Sequence, residues 1–137
     1  MTSRMFAILA VATISVSAYA DKEARDEMAR RTQPAIDKAQ SAYKTACGCD
    51  LSIAVDQSTV TSEHDLGAVA FIADAIAEGA PKYCTDAPSK KAMCQLRQLT
   101  LGKSPKASFT FSGGKGVATV DTAAHCTWLM ITRELDK

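Results

Sequence analysis

The sequence predicts an α+β fold in which two main helices and a short third pack on one face of a mostly antiparallel sheet of about five strands. Three observations carry that expectation. Apolar residues recur at three- and four-residue steps in the first half, the period changes to two directly after Gly48, and the last third is a run of short alternating segments set off by turn residues.

The chain opens on a segment that does not belong to that fold. Arg4, the apolar stretch from Met5 to Ser17, and Ala18-Tyr19-Ala20 follow one another as the positive region, apolar region and A-x-A site of a secretory leader. The apolar stretch is about thirteen residues long, short of the roughly twenty needed to span hydrocarbon. Residues 1–20 are therefore expected to be cleaved off as a signal peptide, leaving residues 21–137 as a single disulfide-stabilised domain. No cysteine follows that site to carry a lipid, and no later segment is long enough to be transmembrane. The expected location is periplasmic or secreted. There is no Asn anywhere, hence no N-glycosylation sequon.

Only one of the 16 Lys and Arg residues, Arg4, lies in the leader, so the remaining cations and anions balance. That gives no electrostatic ground for a nucleic-acid partner. The charges are unevenly placed, however. Residues 50–80 carry Asp50, Asp56, Glu63, Asp65, Asp74 and Glu78 with no cation, whereas residues 82–115 carry seven cations against Asp86. Mutual screening between the two segments is the simplest expectation. Within the basic segment Lys90, Lys91, Arg97, Lys103 and Lys106 are the residues that would meet a partner, including an anionic surface.

The first helical stripe comprises Ala35, Ile36, Ala39, Ala42, Tyr43, Ala46 and Cys47, and Gly48 stands where a left-handed C-terminal residue belongs. The charged segment Asp21 to Arg31 precedes it, and Pro34 requires either a fresh helix start behind Thr32 or a kink. Cys49, Leu51, Ile53 and Val55 then alternate with polar or small residues as in a half-buried strand. Ser62 and Asp65 resemble a capping box before a second stripe of Leu66, Val69, Ala70, Ala73, Ile76 and Ala77, which Gly79 and Pro81 are expected to stop. Asp86 and Pro88 begin the short helix. Strands are expected over 95–101, 107–111, 117–121 and 126–132, with residues 112–116 as a hairpin connection.

The chemistry-bearing residues are few. In an oxidising compartment the five cysteines are expected to pair. Cys84 and Cys94 bracket one short loop and helix and are expected to join; Cys49 and Cys126 both begin strands and are expected to form a second bridge, leaving Cys47 as a free or redox thiol. Cys47-Gly48-Cys49 also admits a strained C-x-C disulfide that is easily reduced, or, with one His, a soft ligand set for copper. Metal binding otherwise lacks support, because His64 and His125 are the only histidines and no ligand spacing includes them. Asp121 and His125 lie four apart without a nucleophile motif. Gly113-Gly114-Lys115-Gly116 has strands on both sides rather than the strand and helix of a phosphate loop. Trp128, Met130 and Ile131 are expected in a core strand.

With no convergent catalytic set and no cofactor motif, a non-enzymatic exported binding protein ranks first, in the form of an inhibitor, immunity or accessory protein acting on another envelope or extracellular protein. The alternative is a thiol redox or copper-handling protein using Cys47-Gly48-Cys49.

Overall fold

A computed structural model of the chain describes residues 19–120 and 127–137. Most of the expected leader, and with it Asp121, His125 and Cys126, lies outside the described residues. The fold is α+β, with helices packed on one face of a four-stranded mixed sheet.

The first helix runs as α1 (Lys22–Glu27), a π-helical turn (Met28–Thr32) and α2 (Gln33–Cys47). In an uninterrupted α-helix the Pro34 ring would press on the carbonyl four residues back. The wider turn removes that clash by sending the Gln33 N–H to the Met28 carbonyl, five residues away. Of the two sequence options the chain therefore takes the continuous helix. Thr32 is buried, and its hydroxyl donates to the Leu66 carbonyl at 3.0 Å. At the other end Gly48, with φ of 82°, closes α2 in the left-handed conformation, and its N–H donates to Lys44 O.

Strand β1 (Ser52–Val55) follows at once, and the Ile53 N–H donates to the Gln40 side chain of α2 at 2.8 Å. Helix α3 (Glu63–Tyr83) is capped by the Ser62 hydroxyl, which accepts from the Asp65 N–H at 3.1 Å. Gly79 and Pro81 do not stop it. Pro81 sits in the last turn, where it forgoes one main-chain bond to the Ala77 carbonyl and only Lys82 and Tyr83 of the helix follow it. Gly79 is needed for a close approach, because a Cβ there would lie 2.3 Å from the Trp128 indole nitrogen. Helix α4 (Ala87–Met93) begins as expected, with Asp86 accepting from the Ser89 N–H at 2.8 Å.

The sheet corrects two expectations: it has four strands, and it is not mostly antiparallel. Its order is β1, β2 (Gln98–Lys103), β4 (Lys115–Val120), β3 (Ser108–Ser112). β1 pairs with β2 and β2 with β4 in parallel; only β3 and β4 are antiparallel. The physical reason is the crossover: α3 and α4 lie between β1 and β2, and a helical crossover returns the chain in the same direction. The hairpin expectation holds, with Gly113 and Gly114 both at positive φ between β3 and β4.

The expected last strand is instead helix α5 (Thr127–Leu135). Its buried residues Thr127, Ile131, Thr132 and Leu135 recur at helical spacing, and that periodicity outweighs the β-branched and aromatic composition that suggested a strand.

Ile53, Leu99, Leu101, Ala118 and Val120 point into the helix layer and join Ile36, Tyr43, Leu66, Ile72, Ile76 and Met93 in one buried cluster. The opposite sheet face carries Ala54, Thr100, Val117 and Thr110 in one row across all four strands and is covered by no helix of the described residues. Tyr43 fixes the layer to α4: its buried hydroxyl donates to the Met93 carbonyl, and burial pushes the phenol well above its ordinary pKa. Tyr43→Phe removes one of the two donors to that carbonyl, which keeps the Leu96 N–H at 3.1 Å, and should cost about 1 kcal/mol, read as a lower urea midpoint with an unchanged slope.

Candidate functional site

Three places concentrate the residues that could carry function: the disulfide junction, the carboxyl end of the parallel strands, and a groove between α3 and α5.

At the junction, Cys47 ends α2 and Cys49 precedes β1, so one glycine turns two sulfurs in different directions. Cys47 bonds Cys84 at the end of α3, with Cα atoms 5.2 Å apart, and Cys49 bonds Cys94 at the end of α4, 5.8 Å apart. Three expectations are corrected here. Cys84 and Cys94 do not join each other, because α4 carries them to separate partners. Cys49 takes Cys94 rather than Cys126, and Cys47 is a bonded, buried sulfur rather than a free or redox thiol. The C-x-C pair therefore offers neither an internal disulfide nor two thiolates for copper. The loops closed by the bridges, with sequence separations of 37 and 45, interleave along the chain. Each bridge closes enough chain for about 4 kcal/mol in the entropy model, and overlapping loops contribute less than the sum. Replacing Cys47 and Cys84 together by Ser should lower stability by about 2–4 kcal/mol, measured by thermal or urea unfolding of the oxidised protein.

At the carboxyl end of β1 and β2, the β1 to α3 loop folds back on the sheet. Asp56 accepts from the Ser58 N–H and hydroxyl at 3.0 and 2.6 Å, which holds its carboxyl below the usual range. The Lys103 N–H donates to the Thr59 hydroxyl at 3.1 Å. Lys103 Nζ lies 2.5 Å from Asp65 Oδ1, and Asp65 is almost wholly buried at the start of α3. Burial pushes the Asp65 carboxyl up, but the Lys103 ammonium, the Thr61 N–H and the Ser62 hydroxyl outweigh it and hold the pKa below the ordinary value. This is the one ion pair of the described residues that joins the acidic and basic segments directly. A depressed carboxyl pKa contributes stability above its unfolded value near 4 and loses it as pH falls through the lower folded value. Lys103→Ala should therefore destabilise by about 1–2 kcal/mol near neutral pH and leave a flatter loss of stability below pH about 4, followed by urea midpoints across the acid range.

The basic residues singled out in the sequence do not form one patch. Lys90 and Lys91 are exposed on α4, and Arg97 lies just before β2, its guanidinium over Gly114. Lys103 and exposed Lys106 lie at the far end of β2, about 16 Å away at the rise of a strand. His64 is exposed in the first turn of α3. Among the described residues no group of three or more His, Cys, Asp or Glu is placed to hold a metal ion.

The groove between α3 and α5 was not legible in the sequence, because it depends on α5 being a helix. Ala75, Gly79, Tyr83, Trp128 and Leu129 line it, with Glu78 and Lys82 adding opposite charges, and it encloses about 350 Å³. Trp128 packs over Gly79 and meets Tyr83 edge to face, ring centroids 6.5 Å apart. Leu129 is 54% exposed, and Phe71, one turn before Ala75 on α3, is 51% exposed. A second groove, lined by Lys38, Ala42, Thr45, Ala46 and Pro81 beside Cys84, has no aromatic side chain.

Compared with known proteins, the chain matches no family model, no curated protein and no solved structure.

Proposed function

We propose that this chain is a small exported binding protein, not an enzyme, that docks on another envelope or extracellular protein through the α3 and α5 face. Two disulfides in so short a chain fit an oxidising compartment, either periplasmic or extracellular. No helix of the described residues is long and apolar enough to cross a membrane. A leader at the start of the chain accounts for delivery there.

The observation that carries the docking surface is the pair of exposed large apolar side chains, Phe71 and Leu129, beside a groove floored by Trp128 and Tyr83. Solvated apolar side chains of this size next to aromatic rings, with charges at the margin, have the anatomy of an interface core and rim. The partner it suits is a protein that inserts an apolar anchor between Trp128 and Leu129, and an inhibitor, immunity or accessory role follows from covering that partner's site. The copper and thiol redox alternative has lost its dithiol to the bridges. An anionic surface has less to hold, since the exposed cations lie at opposite ends of β2.

Phe71→Asp with Leu129→Asp should leave the melting temperature within a few degrees, both sites being solvent-exposed. Immobilised wild-type and doubly substituted protein, challenged with the same envelope extract, should differ: a protein retained by the wild type should be lost about tenfold or more by the variant. A retained set that is empty, or unchanged by the substitutions, overturns the reading.

A further inference from the structure

The last residues assigned to the leader are built into the domain. Tyr19 is only 6% exposed and belongs to the buried cluster together with Ala24 and Met28 of the first helix. Its main chain is held as well: Arg25 Nη1 donates to the Tyr19 carbonyl at 2.9 Å and to the Ala20 carbonyl at 2.6 Å. Its phenol is pushed up first by burial and then by the Asp56 and Asp65 carboxylates. Hydrolysis after Ala20 would take away this ring and both carbonyls, leaving a void in the core and the Arg25 guanidinium without its acceptors.

The sequence offers a second bond. Val16-Ser17-Ala18 places alanine immediately before the cut and a compact side chain two residues earlier, a small-x-small pattern like that of Ala18-Tyr19-Ala20. We infer that the processing site is the Ala18–Tyr19 bond, so that the mature protein begins at Tyr19 and keeps it as a wedge in the fold. The reaction is hydrolysis by an envelope signal peptidase: water supplies the hydroxyl of the new Ala18 carboxyl group and the proton taken up by the Tyr19 nitrogen, and no other reactant is needed.

This inference rests on the export reading, and one measurement separates the two. The full-length chain is expressed, and the N-terminus of the product from the envelope or medium is read by sequencing and intact mass. A start at Tyr19 is expected. A start at Asp21, or at another residue close to it, overturns the assigned bond and leaves export standing; a start at Met1 or Thr2, with the leader intact, overturns both. An independent readout compares chains made without a leader. One that begins at Asp21 should melt on the order of 10 °C below one that begins at Tyr19. In the longer chain Tyr19→Ala should reproduce most of that loss, whereas Tyr19→Phe should not, because the buried hydroxyl has no hydrogen-bond partner among the described residues. Equal melting temperatures for the two starts overturn the wedge.

Discussion

The turn at Cys47-Gly48-Cys49 governs the arrangement of everything else. A helix must end and a strand begin within a few residues, and the left-handed glycine lets the chain reverse without strain. The two sulfurs on either side of it then reach the ends of two different helices. As a result α2, α3, α4 and β1 converge on one corner of the domain. The Tyr43 hydrogen bond to the residue before Cys94 lies at the same corner and ties α2 to α4, two of the elements that the bridges also hold. The sheet's far strands are held by main-chain pairing and apolar packing, and α5 by apolar packing and the Gln95 amide, which donates to the Leu135 carbonyl at 2.9 Å.

Much of this was legible in the sequence where one local signal dominates. Gly48, Ser62 and Asp86 mark helix ends by backbone chemistry, and the Gly113-Gly114 pair marks a hairpin by its need for positive φ. Signals failed where tertiary contact decides. Gly79 reads as a stop, yet it serves the Trp128 ring from another helix. Thr127–Leu135 has strand-like composition, and only its burial period reveals the helix. Cysteine pairing was not recoverable from spacing, because the short loop between Cys84 and Cys94 says nothing of where α4 points. The groove at Trp128 was invisible for the same reason, since it exists only once two distant helices are side by side.

The polar end of the sheet shows how a charge imbalance along a sequence resolves in space. The acidic and basic segments do meet, but through a single buried contact between Asp65 and Lys103, while Lys90, Lys91, Arg97 and Lys106 remain in solvent. Asp65 is held by Lys103, Thr61 and Ser62 at once, which suits a structural brace rather than a proton carrier. Tyr19 is buried too, and its phenol feels the carboxylates of Asp56 and Asp65 at that same end.

The parallel pairing of β1 with β2 has a consequence for how the chain is made. Ser52 must find Gln98, and β2 must then accept β4 on its other edge, so little of the sheet can assemble from neighbours in sequence. Topologies with such distant contacts acquire their native order slowly. Under the export proposed above, that delay is an advantage: the strands stay separate and the chain pliable until the last of them has crossed the membrane.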